Sequence, residues 1–387
     1  MRGVGTPVAA RSGWASGRVP GWALWRWAVV AAVAALLVGV PAAIAARPGD
    51  ARADPAQLRD LVAASADRPW TGYAEARAAL GLPRIAQLAD VTTLLSGVTR
   101  MRGWYAAPDR SRVDVLSAVG ERDRYTTPRG QAVWDYGAEL LTVVARDPQV
   151  RLPRPEDLLP PELARRLLAG TTSADPATEL PSRRVAGVDA AGVRVTVADP
   201  ETTVGALDVW ADPATGLPVA VEVRAKGVAE PLITTAFGEL TQGPPDPSAL
   251  EPRRGPGAGV TRSPTSDLFG VLGRGDGSSL PASLAGRERV RPERGFPALG
   301  RYGTTLGQLI AVPLPPDLAA TLLAGIDRAG AGRTLTVEGQ GSALETPLLT
   351  LAVVRSDDGA RAWVLAGLVP PAAIDSGATD LLAGGRT

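Results

Sequence analysis

The sequence has no cysteine and no histidine, no asparagine, and a single lysine, Lys226. Each absence removes a class of chemistry. Without histidine, neither a Ser-His-Asp nor a Cys-His nucleophilic site can form. Without histidine and cysteine there is no conventional zinc site. Lys226 is followed by Gly227, so the Gly-Lys-Ser/Thr core of a phosphate loop is missing. Val223 stands three residues before it, which rules out a Ser-x-x-Lys nucleophile. An enzyme would be left with paired carboxylates or an oxygen-ligand metal site, and Asp and Glu are scattered with no spacing that singles out a pair. The expectation is a protein without catalytic activity, metal or cofactor. No asparagine means no N-glycosylation acceptor. No cysteine means no disulfide and no lipid-modified cysteine, so stability must come from the core and any tether from an apolar segment.

What is present begins with that segment. Trp27 to Ala46 is free of charge, and Arg2, Arg11, Arg18 and Arg26 precede it with no acidic residue among them. A basic flank stays cytoplasmic, so the remainder is expected to be exported, to the extracytoplasmic face of the cell membrane or beyond. Pro41 and the small residues Ala43-Ile44-Ala45 suit a cleaved signal peptide. The length suits a retained anchor equally, since about 20 apolar residues suffice to span a bilayer. Both outcomes stay open. The chain has 41 basic residues; removing the four ahead of the segment leaves 37 against 40 acidic, a net of −3. With no clustered basic face, no nucleic-acid partner is expected.

The 387 residues allow two domains at about 100–200 residues each. Asp54-Pro55 reads as N-cap and first helical position, with Leu58, Leu61 and Val62 on one face to about Ala66. In Thr71 to Leu80 the alanine content favours a helix, whereas Tyr73, Glu75 and Arg77 alternating with alanines favour a strand. From 92 to 146 short segments broken by turn residues predict an antiparallel meander, with Val113, Val115 and Ser117 on one face of a strand and Arg112, Asp114 and Leu116 on the other. A helix over Pro161 to Ala169 presents Leu163, Leu167 and Leu168. Further strands follow to Leu250, with a hairpin turn at Asp212-Pro-Ala-Thr-Gly216. Residues 251–292, rich in Gly, Pro, Ser and Arg, read as a linker. The Gly273 to Gly277 stretch within it imitates a phosphate loop but lacks the flanking strand and helix. A small α+β unit over 293–387 closes the chain, with strands near 305–312, 334–337, 348–354 and 362–368 and helices near 316–329 and 372–382.

Several local motifs carry a family likeness: Gly72-Tyr-Ala-Glu before Leu80-Gly-Leu-Pro83; Trp104-Tyr105 with Pro108-Asp-Arg-Ser-Arg-Val113; Trp134-Asp-Tyr136; Val209-Trp-Ala-Asp-Pro-Ala-Thr-Gly-Leu-Pro218; and Phe237 followed by Pro244-Pro-Asp-Pro-Ser248. On these the stretch 72–250 resembles the lipoprotein-carrier (LolA) and RseB/MucB periplasmic-sensor superfamily in its actinobacterial form. The resemblance implies an α+β fold: a curved antiparallel β-sheet, an unclosed half-barrel over 47–250, with helices plugging its concave side. It also makes Thr71 to Leu80 a strand. Carriers of this kind hold acyl chains in the concavity; the sensors add a C-terminal domain and bind an anti-sigma factor.

The function expected is a lipid- or lipoprotein-binding carrier or an RseB-like sensor of the envelope, with acyl chains and a membrane protein such as an anti-sigma factor as partners. The alternative is a structural or accessory envelope protein, for instance an extracellular partner of a membrane transporter, with no small ligand. Trp104, Val113, Val115, Trp134, Leu140, Val143, Val195 and Trp210 are the candidates to line a ligand cavity, against the plainer role of core residues. Arg100, Arg102, Arg110 and Arg112 are the candidates to dock an acidic partner, against the plainer role of cross-strand ion pairs with residues such as Asp109 and Asp114.

Overall fold

Asp54 and Pro55 open the first helix as their types predict: the Asp54 carboxylate accepts from the Gln57 N–H at 3.0 Å and Pro55 takes the first helical position. This helix, α1 (Pro55–Ala63), buries Leu58 and Val62. The chain continues through β1 (Trp70–Ala78), α2 (Ala89–Leu95), β2 (Val98–Ala107), β3 (Arg110–Ser117), β4 (Gly120–Thr127), β5 (Gly130–Asp135) and β6 (Leu140–Val144). Then come α3 (Pro160–Leu168), β7 (Ala177–Val185), β8 (Val188–Thr196), β9 (Val204–Ala211), β10 (Pro218–Ala225) and β11 (Ile233–Gln242). β12 (Gly259–Ser263), α4 (Leu268–Leu272), β13 (Ser283–Leu284) and β14 (Arg287–Glu288) precede β15 (Gly300–Tyr302), β16 (Leu309–Pro313), α5 (Pro316–Arg328), β17 (Arg333–Thr334), β18 (Gln340–Glu345), β19 (Thr350–Arg355), β20 (Ala362–Gly367) and α6 (Pro371–Ala383). This computed structural model describes residues 51–383 apart from 86–88, 118–119, 146–147, 254, 256, 266 and 276. The segment Trp27 to Ala46 lies outside the described residues. Among the described residues no helix is long and apolar enough to cross a membrane.

One curved, unclosed 12-stranded sheet runs in the order β12-β6-β5-β4-β3-β2-β1-β11-β10-β9-β8-β7. Every pairing in it is antiparallel except that of β12 with β6. The half-barrel expected from the sequence is therefore present. β1 joins its two halves, paired with β2 on one side and β11 on the other. Along β1, Trp70, Gly72, Ala74, Ala76 and Ala78 are buried and the residues between them are not, a period of two that settles the strand over the helix. Gly72 pairs with Gly103, and a Cβ on Gly103 would lie 2.6 Å from the Trp70 ring, so this glycine makes the space in which the indole sits. Trp70 there stacks on Tyr105 and meets Phe237 edge-on, with centroids 5.8 and 5.0 Å away.

The inner face of β7–β11, carrying Val193, Val195, Leu207, Val209, Val221 and Val223, is covered by α1 and α3 and forms the main core. The opposite face carries ion pairs: Asp208 accepts from Arg194 and Arg224, Glu222 pairs with Arg183 and Arg224, and Glu75 with Arg100. The turn Asp212 to Gly216 closes with Gly216 N–H donating to the Asp212 carbonyl at 2.8 Å, and Gly216 adopts φ +72°.

Residues 251–292, expected as a linker, contain secondary structure. A turn at Pro247–Leu250 packs on β3, the chain crosses the sheet there, and β12 adds a parallel strand at the β6 edge. β12 is exposed nearly throughout, so no hydrophobic alternation advertised it.

The second sheet, β15-β16-β20-β19-β18-β17, is wholly antiparallel. The apolar runs at 348–354 and 362–369 call for cover on both faces. α6 and β13 cover one face, around Trp363, Leu365 and Ile374. α5 packs on the other through Ala319, Leu322 and Ile326. The β8–β9 loop clamps this sheet to the half-barrel: Thr203 N–H and Thr202 Oγ1 donate to the Leu368 carbonyl at 3.0 and 2.6 Å, and Thr203 Oγ1 to that of Leu348 at 2.5 Å.

Candidate functional site

An apolar concavity lies at this junction and not inside the half-barrel. It is a cavity of about 520 Å³, open to solvent. Its floor is the sheet face carrying Ile310, Leu351, Val353, Val364 and Ala366; α5 supplies Leu318, Leu322 and Ile326 as one wall. The half-barrel supplies the other wall from Ile85, from Val91 and Leu95 of α2, and from Leu167 at the end of α3. Leu268 and Phe269 of α4 complete it. The spacing of Leu318, Leu322 and Ile326 is the one-face repeat of a helix, and 351/353 and 364/366 share a face by strand alternation. That face is apolar because it is a second core surface which α5 alone cannot cover.

Polar groups gather at its edge. Arg151 holds Asp157 through two hydrogen bonds of 2.7 Å, and Arg166 reaches the same carboxylate at 3.0 Å. Burial alone would push the Asp157 carboxyl up, but the hydrogen bonds and charges of Arg151, with Arg166, outweigh it and hold it below the usual range. Arg301, Thr304, Thr305 and Gln308 line the cavity too. Thr305 Oγ1 donates to Asp199 at 2.9 Å.

The concavity of the half-barrel, where the resemblance placed a ligand, is built differently. Over β7–β11 it is filled by α1 and α3. Over β2–β5 a pocket of about 310 Å³ remains, but charged side chains line it: Arg112, Arg151, Arg154, Glu156, Asp157 and Arg165. Arg124 pairs with Glu156 there at 2.8 Å.

The sequence candidates are therefore dispersed. Trp104 and Val113 line the charged pocket. Val195 is fully buried in the main core, and Val115 is half-buried on β3. Trp134 packs with Tyr125, Ala132 and Ala258. Leu140 and Val143 lie on β6 opposite Gly259 and Arg262 of β12. Trp210 is buried across Gly192, donates its indole N–H to the Pro181 carbonyl at 3.0 Å, and carries the Arg183 guanidinium 3.5 Å above its ring. None of the eight lines the apolar cavity.

The four arginines do not make one patch either. Arg100 pairs with Glu75 at 3.1 Å and Arg110 with Glu251 at 3.7 Å, both exposed; Arg102 is exposed. Arg112 is largely buried and unavailable for docking. It donates to Asp114 at 2.6 and 2.8 Å and to Asp123 at 2.9 Å, and lies over the rings of Trp104 and Tyr125. Glu121 joins the two aspartates, so three carboxylates gather around one arginine. Burial, and then the charge of Asp114, push the Asp123 carboxyl up to about 7. Burial raises Asp114 as well.

No family model matches the sequence, and no curated protein matches it. Among solved structures, the chain is similar in outline to MucB. The structure of MucB in complex with MucA(peri) is 16% identical over 85% of this chain and 98% of that one, with a TM-score of 0.46. MucB in the Pseudomonas aeruginosa MucA/MucB complex gives 16% identity, 86% and 97% coverage, and 0.45. A LolA superfamily protein from Nitrosomonas europaea gives 10% identity over 52% of this chain and 98% of that one, at 0.24. Both names expected from the sequence thus recur among the structural neighbours. The likeness is one of chain outline, and no residue role is transferred from it.

Proposed function

We propose that this chain is a non-enzymatic, extracytoplasmic binding module of the cell envelope, and that it holds an acyl chain in the cavity between the half-barrel and the second sheet. The observation that carries the reading is the cavity: about 520 Å³, apolar on floor and both walls, and open at one side. That volume is within the roughly 300–1,000 Å³ typical of small-molecule sites. Apolar area removed from water contributes about 25 cal/mol per Å², so a flexible hydrocarbon gains most where every wall is aliphatic. The ligand site thus moves from the half-barrel, which α1 and α3 fill over β7–β11 and charged side chains line over β2–β5, to a junction shared by both sheets.

Delivery by the segment Trp27 to Ala46 puts the module outside the cytoplasmic membrane. Its partner, as a regulatory sensor, is a membrane protein such as an anti-sigma factor, the class to which the resemblance points. Arg102, exposed on β2, is the docking candidate left without burial or ion pair among the described residues.

The test is native mass spectrometry of the chain as it accumulates in an expressing cell, mixed with lipids extracted from a bacterial envelope. Retained lipid that disappears in Ala366→Trp, which fills the cavity, is the result expected. No retained lipid, together with capture of one membrane protein, would overturn the carrier reading in favour of an accessory protein without a small ligand.

A further inference from the structure

We infer that the cavity takes a single-chain amphiphile with an anionic head, and that Arg301 receives the head. The inference rests on the cavity reading and adds the chemical class of the ligand.

β15 and β16 pair as Gly300–Ala311, Arg301–Ile310 and Tyr302–Leu309. Gly300 and Tyr302 are buried toward the other side, Tyr302 in the core beneath α6. Alternation puts Arg301 on the cavity face beside Ile310, and Gln308, two residues before Ile310, on that face too. Arg301 is half-buried, yet among the described residues its side chain makes no ion pair and no hydrogen bond; the same is true of Gln308. The other two arginines of the cavity, Arg151 and Arg166, share Asp157. The cavity is therefore an aliphatic chamber edged by a neutralised cation pair, Arg151 and Arg166 on Asp157, and by a further cation that has no counter-charge among the described residues.

A guanidinium stays charged at any physiological pH and offers a fork of donors matched to a carboxylate or phosphate. A bound anion at Arg301 leaves its hydrocarbon facing Ile310, Leu351 and Ala366. The volume suits a single-chain tail. A methylene group occupies close to the volume of a water molecule in its liquid, roughly 30 Å³, so the cavity holds roughly 17 such groups. One chain of common length matches that volume. The carboxylate of a fatty acid and the phosphate monoester of a lysophosphatidate share this chemistry.

The test titrates the full chain, purified from the fraction in which it accumulates, with palmitate, palmitoyl lysophosphatidate and hexadecanol, and counts bound ligand by native mass spectrometry. At least one anion should bind more tightly than hexadecanol, and the tighter of the two names the head. Arg301→Gln should weaken that anion by about tenfold or more while leaving hexadecanol within about twofold. Ala366→Trp should abolish all binding, with Ile310→Trp as a second filler if the first does not fold. Unchanged anion binding in Arg301→Gln, or hexadecanol binding as well as both anions, overturns the headgroup assignment and leaves the cavity reading standing. Binding by none of the three ligands, or binding that survives both fillers, overturns the cavity reading itself.

Discussion

Replacing Asp123 with Asn should change the pH dependence of stability, with a sign that the buried cluster fixes. Asp123 and Asp114 are almost fully buried, and Arg112 is the one cation bonded to both. Burial, and then the negative charges of Asp114 and Glu121 that the single Arg112 guanidinium does not balance, are why Asp123 is pushed up to about 7. The unfolded value is about 3.9. An acid whose folded value is raised keeps its proton in the native state while the unfolded chain has lost it. Stability therefore falls as pH rises from about 4 to about 7 and is flat above that. At about 1.36 kcal/mol per unit, the loss between pH 5 and pH 7 is at most about 2.7 kcal/mol, and relaxation around the charge should leave about half of that. Asn has the shape of the protonated acid and keeps an acceptor for the Tyr125 hydroxyl, which donates to Asp123 at 3.2 Å. Asp123→Asn should therefore be near neutral at pH 4 and stabilise the protein by about 2 kcal/mol at pH 8. Denaturant midpoints of the two proteins at pH 4, 5, 6, 7 and 8 measure this directly. Equal destabilisation at every pH would refute the reasoning, because it would mean that Arg112 needs both charges.

Two further substitutions probe the sheet. Asp208→Ala strands Arg194 and Arg224; because Arg194 is partly exposed and can turn to water, the cost should be about 1–3 kcal/mol, below the range for a fully buried pair, with Asp208→Asn milder, both read as shifts in denaturant midpoint. Gly103→Val drives a side chain into the Trp70 ring and should cost about 1–3 kcal/mol, visible as a lower melting temperature.

The strands of the half-barrel were legible because turn residues punctuate them, and strand alternation sets Val113 with Val115 and Arg112 with Asp114, as expected. Thr71 to Leu80 was ambiguous from composition, since alanine serves a helix by propensity and a crowded strand by size. β12 and β18 escaped notice for a common reason. The first is exposed on nearly every residue, and the second, Gln340–Glu345, is built from residues without strand preference, so its neighbour β19 imposes its conformation. The cavity was illegible for a different reason. Its walls come from α2, α3, α5 and the second sheet, and each reads separately as an ordinary amphipathic surface. Only the packing reveals that those surfaces meet incompletely. Aromatic residues drew attention to Trp104, Trp134 and Trp210, yet Trp134 and Trp210 pack in cores, Trp104 lines the charged pocket, and Phe269 is the one aromatic among the residues lining the cavity.

The position of β1 has a consequence for how the protein is made. A chain made from its N-terminus presents β1 to β6 first, and β1 can pair with β2 as soon as Ala107 has emerged. Its second edge must wait for β11, which ends at Gln242, and the outer edge of β6 must wait for β12. During that interval the early half is a ribbon with two unpaired rims, the condition that invites pairing with other chains. Glu75 and Arg77 on β1 put charge beside the waiting rim, a known deterrent to such pairing. Such distant partners also predict slow completion of the sheet. Assembly of the sheet is thus the stage at which this protein is most exposed to proteases and to aggregation, and the stage at which a holding chaperone would have most effect.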